Sequence, residues 1–494
     1  MPKIIIPLLL LISLPLATAN AAQPNILFIL ADDLGWRDAR CYGSTFYQTP
    51  NIDRLAKLGM RYTNAYAASP LCSPTRASIL TGQDPGRLRF TTPAGHLPQA
   101  VLDPVVPKQG APSRKAIIPQ TRTRLPNTCV TYAEVLQKLG YTTGFFGKWH
   151  LGRAPYLPEK QGFEKVVGGR EHPGPPPKGH YFSPWKCDTL PVVPAGTHIN
   201  KVLTDEAITF IQNCKKKGKP FLLNLWYYDV HAPFQAVEEL KEKYAAKVSP
   251  DNPQRCPTMG AMIEMLDRGV GRVLNELEKT GMMEETLIIF TSDNGGNEYN
   301  EVDGTTPTNN DPLRSGKGNI HEGGVRIPLI VVWKGKVKPG TTCDEPVSTV
   351  DWFPTLLEVV GAKPPKLPPG EKFDGISIAA TFLRGEKLPK RPLFTHFPHY
   401  TPATGGQPAT SLRQGDWKFY RVYCDNADQT DRFELYNLRD DLSEKNNLVQ
   451  ENPEMVSEFK AMLRQFLKET DALVPVKNPR YDPDAKAPVR KKRH

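Results

Sequence analysis

The sequence predicts an α/β fold: a large, mostly parallel sheet sandwiched by helices, with a smaller C-terminal antiparallel-sheet subdomain. Three observations carry this. Short continuous apolar runs rich in strand formers recur along the chain, amphipathic helical patterns lie between them, and the character changes after about Lys363. Strands that are apolar throughout, rather than alternating, are strands buried on both faces. Their alternation with helices implies the crossover connections of a parallel sheet. A length of 494 residues is enough for one large core with an appendage and excludes a small disulfide-stapled scaffold. The 49 prolines, about twice the usual ~5%, point to long, stiff loops.

In chain order, Lys3, the apolar run from Ile4 to Leu16 and Ala19-Asn20-Ala21 have the order of a secretory signal over residues 1–21. The run is shorter than the ~20 residues needed to span a bilayer and carries Pro7 and Pro15, so the expectation is a periplasmic or secreted protein with no membrane span. The main domain, 22–362, then holds strands at Asn25–Leu30, Thr142–Phe146, Phe221–Tyr227, Leu287–Thr291 and Pro328–Val332. Helices are expected over Tyr132–Leu139 and over the three- and four-residue spacing of Met259, Met262, Ile263, Leu266, Val270, Val273, Leu274 and Leu277. Thr91–Asn127 and Ala154–Pro194, rich in Pro, Gly and basic residues, read as long ordered loops over one edge of the sheet. The subdomain, 363–475, follows a Pro-rich linker with strands at Trp417–Tyr423 and Phe433–Leu438 and a helix near Pro453–Glu469; 476–494 reads as a basic disordered tail.

The net charge of +11 invites a polyanion partner. Lys3 leaves with the signal, however, and Lys486, Arg490, Lys491, Lys492 and Arg493 supply half of what remains, so a nucleic-acid partner is not expected. Eight cysteines in an exported chain would allow up to four disulfides.

Ligands gather at the carboxyl ends of parallel strands. Asp32 and Asp33 follow the first strand, and Asp293 and Asn294 follow the Leu287 strand. These four offer only oxygen donors, which suits Ca²⁺, or less well Mg²⁺, and not Zn²⁺. Either pair alone fits an Asp-rich helix-capping turn, but two pairs in matching positions favour a metal. Three carboxylates also leave negative charge that needs a further cationic group. Next, Cys72-Ser73-Pro74-Thr75-Arg76 looks like a turn entering a helix, with Ser73 as N-cap and Pro74 at the first helical position. Backbone N–H groups there favour an anion at Cys72, and Arg76 adds a planar cationic fork. A disulfide or a buried thiol fits the same pattern equally well.

Cys72-x-Pro74-x-Arg76 with the Ser78–Gly82 continuation is similar to the signature of the formylglycine-dependent sulfatases, within the alkaline-phosphatase-like superfamily. Gly140-Tyr141-Thr142-Thr143 to Gly147-Lys148-Trp149-His150 resembles that family's second signature, with Phe146 bulkier than the small residue expected there. Asp32-Asp33, His231, Asp293-Asn294 and Lys317 fall in the family's order, so the resemblance runs from about residue 24 to 445.

This resemblance implies a hydrolase of sulfate esters, its substrates being sulfated carbohydrates or aryl sulfates. It implies that a formylglycine-generating maturation enzyme oxidises Cys72 to an aldehyde, whose hydrate attacks sulfur to give a covalent sulfo-enzyme. His150 would take the proton that expels sulfate, Lys317 and His231 would serve the leaving oxygen, and Arg76 and Lys148 would neutralise the sulfuryl oxygens. Calcium would be held by Asp32, Asp33, Asp293, Asn294 and the modified Cys72. An aldehyde at Cys72 leaves seven thiols, so a complete set of disulfides is ruled out. Arg314, His321 and Asp229, and the loops Gly168–His172 and Thr395–Tyr400, are further substrate-contact candidates that fit ordinary structural roles as well. Two other functions stay open: a phosphoester or phosphonate monoester hydrolase on the same scaffold, and a non-catalytic carbohydrate-binding protein that keeps the fold.

Overall fold

The computed structural model describes residues 23–486; the expected signal, residues 1–21, lies outside them, as does 487–494. The main sheet has nine strands: β1 (Asn25–Ala31), β2 (Met60–Tyr66), β3 (Thr142–Gly147), β4 (Lys165–Gly168), β5 (Phe221–Trp226), β6 (Thr286–Ser292), β7 (Arg326–Val332), β8 (Thr341–Cys343) and β9 (Val347–Ser348). Their order is β9-β2-β7-β6-β1-β5-β3-β4, with β8 also paired to β2. Only β7 runs against the others, antiparallel to both β6 and β2.

Every residue of β1 and β6 is buried, which is why each carries a continuous apolar run, Ile26–Ala31 and Leu287–Phe290. Alternation still sorts the two faces. Leu27 and Ile29 join one core with Leu223, Ile288 and Ile330; Ile26 and Phe28 join the other with Leu222, Leu287 and Leu329. The first core is covered by α4 (Ile199–Lys217) and α5 (Pro257–Lys279), and the stripe from Met259 to Leu277 faces inward, apart from the spacers between. The second is covered by α2 (Cys72–Thr81), α3 (Tyr132–Lys138) and α6 (Trp352–Val359); α1 (Pro50–Leu58) sends Ile52 and Leu55 into the first. The bulky Phe146 is absorbed by a T-shaped contact with Phe210 of α4, ring centroids 5.6 Å apart, and does not disturb the strand exit.

Four antiparallel strands form the second sheet, β10 (Leu393–Phe397), β11 (Ala409–Gln414), β12 (Trp417–Val422) and β13 (Arg432–Asn437), packed on α7 (Pro453–Thr470). Its other face meets the main domain. Ile320 packs among Phe397, Tyr420 and Tyr436, and Lys418 of β12 reaches Glu322 across the boundary at 2.7 Å.

Three expectations are corrected. Thr395–Tyr400 is not a surface loop: His396 lies in β10 and bonds Thr410 Oγ1 at 2.8 Å, and His399 bonds Thr91 Oγ1 at 2.7 Å, both rings being buried. Residues 476–486, expected to be disordered, fold back on the long loop: Val476–Lys477 pair with Ala116–Ile117, and Asn478 donates to the carbonyls of Ala111 and Arg114. None of the eight cysteines is bonded to another, so the disulfide option falls. No helix among the described residues is long and apolar enough to cross a membrane.

Candidate active site

The fold delivers every residue predicted to be catalytic or to hold the metal to one edge of the sheet. Asp32 and Asp33 leave the end of β1, Lys148 and His150 that of β3, His231 that of β5, and Asp293 and Asn294 that of β6. Lys317 precedes β7 in sequence, and the reversal of that strand puts its start on the same edge. Cys72 opens α2 between them, with Arg76 one turn in and fully buried. Gly147 makes the turn from β3 to Lys148: its φ is +111°, and a Cβ there would fall 1.8 Å from the Trp226 carbonyl oxygen.

The charged groups interlock. Lys148 Nζ donates to Asp32 Oδ2 at 2.6 Å, and Lys317 Nζ to Asp33 Oδ2 at 2.6 Å. Arg76 Nε donates to Asp293 Oδ2 at 2.8 Å and its Nη1 to the Lys148 carbonyl at 2.6 Å, with the guanidinium over the Trp226 ring. Asn294 Nδ2 and the Asp33 backbone N–H complete the ring, donating to Asp33 Oδ1 and Asp293 Oδ1 at 2.9 and 3.1 Å. One ligand atom each from Asp32, Asp33, Cys72 and His231 lie within 4.8 Å of one another.

Three buried carboxylates thus face three buried cations, which supplies the compensating charge the sequence demanded. Burial pushes the Asp32 carboxyl up to about 8 against the pull of Lys148, with Asp293 and Asp33 adding repulsion. Burial acts on Asp33 in the same sense, but Lys317 and His231 outweigh it and hold that carboxyl well below the usual range. For Lys317 burial opposes the charge and Asp33 prevails, so it stays an ammonium. Burial, helped by Lys148 and His96, drives His150 well below the ordinary histidine range; burial and Lys317 lower His231 as well. Both rings are neutral proton acceptors at neutral pH.

Two oxygens of this set are buried without a hydrogen-bond partner, Asp32 Oδ1 and Asn294 Oδ1. Buried polar oxygens are rarely left unpaired, and both are hard donors beside two more carboxylates. The residues therefore fit a hard divalent cation, and a divalent charge would take the balanced cluster to a net +2, a setting for an anionic ester.

Elsewhere the site departs from expectation. Ser73 is not the N-cap, which is Leu71; its hydroxyl instead donates to the His150 carbonyl at 2.7 Å and ties α2 to the β3 exit. Asp229 lies wholly buried behind Asp32, taking a bond from Asn200 Nδ2 at 3.2 Å, and does not face substrate. Arg314 and His321 turn away toward the second sheet, Arg314 to Tyr436 and the Glu444 carbonyl, His321 to 3.7 Å from Glu434. The Gly168–His172 loop does support the site, because the Arg170 carbonyl accepts from the His150 N–H at 3.3 Å. Sequence reasoning missed His96, whose Nδ1 sits 3.0 Å from His150 Nε2. Its only signal was a histidine inside a proline-rich loop.

A doubly covered α/β sheet with carboxylates, an amide oxygen and three cations converging at one edge defines a hydrolase of anionic esters. The comparisons make this specific. The Sulfatase family profile matches residues 24–362, and that of the N-sulphoglucosamine sulphohydrolase C-terminal region matches 316–472. The chain is 33% identical to a sulfatase of Formosa agariphila over 87% of this chain and 85% of that one, and 32% identical to human arylsulfatase A over 83% and 77%. Among solved structures it is similar to Ps i-CgsB in complex with k-i-k-neocarrahexaose (TM-score 0.73, 28% identity, 91% of this chain and 93% of that one) and to the PsFucS1 sulfatase from Pseudoalteromonas sp. (0.69, 26%, 93% and 92%). The chain belongs to the sulfatase family and is a sulfuric ester hydrolase. A phosphonate monoester hydrolase of Agrobacterium radiobacter shares the fold at 18% identity and TM-score 0.60.

Proposed function

We propose that this chain is an exported sulfatase that desulfates sulfated carbohydrates, using a formylglycine made from Cys72 by a separate maturation enzyme and a calcium ion held by Asp32, Asp33, Asp293 and Asn294. The observation that carries this is the position of Cys72. It opens α2 beside two unpaired oxygens and three buried cations. The hydrate of a formylglycine supplies the nucleophilic oxygen, and it would also replace a soft sulfur by oxygen in an otherwise hard donor set.

The chain's own groups fit the rest. Lys148 and Arg76 are fixed cations able to bind the sulfuryl oxygens. Lys317 and His231 flank Asp33, at 2.6 and 3.7 Å, beside the place of the bridging oxygen, and the Lys317 ammonium can protonate a departing alkoxide. His150, neutral and inward-facing, accepts a proton. Carbohydrate substrates are supported by the neighbour crystallised with k-i-k-neocarrahexaose, and export by the Lys3 to Ala21 sequence order.

Peptide mass mapping of active protein should find Cys72 as an aldehyde, and Cys72→Ala should abolish turnover of aryl sulfates and of sulfated oligosaccharides. Retention of activity by Cys72→Ala would overturn the reading.

A further inference from the structure

His150 is 1% exposed and stands among Lys148, Arg76 and His231, so a second proton on its ring would be an imidazolium buried next to cations. Its two nitrogens differ. Nδ1 is buried with no hydrogen-bond partner, whereas Nε2 meets His96 Nδ1 at 3.0 Å. His96 is half-buried, between the buried ring and the surface.

The loop that carries His96 is fixed at this position. A Cβ on Gly95 would fall 2.2 Å from the His150 carbonyl oxygen, so only glycine lets the two backbones approach this closely. Arg124, itself 3% exposed, then clamps the loop on both sides of His96. It donates to the carbonyls of Gly95 at 3.4 Å and of Leu97 at 2.6 Å. A ring held this way is a built contact, made by a segment far from His150 in sequence.

We propose that His96 is the proton outlet of His150, a positioning and relay residue that lets the buried imidazole accept a proton without retaining its charge. This rests on the sulfatase mechanism proposed above. The Nδ1 lone pair of His150 takes the proton of the reacting hydroxyl. The Nε2–H bond breaks with its electron pair left on Nε2, and that proton passes to the lone pair of His96 Nδ1. A proton then leaves His96 from Nε2, through whatever neighbours that nitrogen meets, toward the surface. One proton has moved from the site to solvent, and each ring ends neutral in its other tautomer, reset by exchange with water between turnovers.

The test uses enzyme shown by mass mapping to carry the Cys72 aldehyde, so failure of the underlying mechanism appears in the wild type before any variant is compared. His96→Asn keeps an amide near the Nδ1 position and holds the His150 ring, but carries no transferable proton; His96→Ala removes both. With an aryl sulfate, both variants should lose about tenfold or more in kcat with KM falling in step and kcat/KM held, and should show a burst of phenol release before a slow steady state. Added imidazole should restore the Ala variant several-fold and leave the wild type unchanged. Wild-type kcat in His96→Asn would overturn the relay, as would a folded His96→Ala that imidazole does not rescue. Should the Ala variant fail to fold, the Asn result decides alone.

Discussion

Replacing Lys317 by methionine should move calcium affinity and turnover in opposite directions. The side chain is nearly fully buried, with its ammonium 2.6 Å from Asp33 Oδ2. Any calcium bound to that oxygen at an ordinary ~2.4 Å lies no more than about 5 Å from the nitrogen. A unit charge repels a divalent one at that distance by about 1.7 kcal/mol even with the full screening of water, and by more at the lower effective dielectric of a buried site. Methionine fills similar space without the charge, so calcium should bind at least tenfold more tightly. Turnover should meanwhile fall by roughly 10²-fold or more, the scale of losing a positioned proton donor. Calcium titration of chelator-stripped protein, by calorimetry or against a chromophoric chelator, measures the first, and aryl sulfate hydrolysis at saturating calcium the second. Metal-free Lys317→Met should also unfold at lower temperature, because losing one partner of a buried pair costs about 3–5 kcal/mol, and calcium should return much of that. Unchanged or weaker calcium binding in a folded variant would refute the charge argument.

Three further outcomes follow from the geometry. Burial raises the Asp229 carboxyl to about 7, so the folded state holds its proton more tightly than the unfolded one; stability falls as pH rises from about 4 to 7 and then levels, and Asp229→Asn should remove that slope and stabilise at pH 8 by up to about 4 kcal/mol, seen in denaturant melts at the two ends of the range. Gly147→Ala puts a methyl 1.8 Å from the Trp226 carbonyl at φ +111° and should lower the melting temperature together with activity, whereas Gly218→Ala, with nothing within 4 Å of its Cβ, should cost only the ~1 kcal/mol of a left-handed residue. Paired rates on aryl sulfate and aryl phosphate should favour the sulfate strongly; parity would point to a broader anionic esterase.

What the sequence revealed follows from which signals are local. β1, β5 and β6 were legible because burial on both faces makes their central residues nearly all apolar, and α5 because its stripe repeats at helical spacing. β2 was not, since MRYTNAY mixes buried and half-buried positions without either period, and α4 hid behind a polar outer face and a run of three lysines. The residues of the site were legible because short motifs carried them, not because their convergence could be seen. Where a role depended on a contact made only by folding, local inference failed: Ser73 has the sequence of a cap and the position of a strut, His399 the look of a surface residue and a buried bond to Thr91, and His96 no pattern at all. The sense of β7 was equally hidden, because direction within a sheet leaves no mark on an apolar run.

That direction has a consequence for how such a protein can diversify. The connection from β6 to β7, residues 293–325, starts and finishes on the same rim of the sheet, with Asp293 and Asn294 at one end and Lys317 near the other. A crossover must return to the far rim and keep its helix docked; this segment need only bring its two ends home. Its stretch before Lys317 can lengthen, shorten or be exchanged between relatives as a cassette, anchored by residues of the site and by the Ile320 and Glu322 contacts with the second sheet, while the nine strands beneath stay untouched. Grafting that cassette from a relative with a different sulfated substrate is the smallest exchange that would redraw the mouth of the site and leave its floor in place.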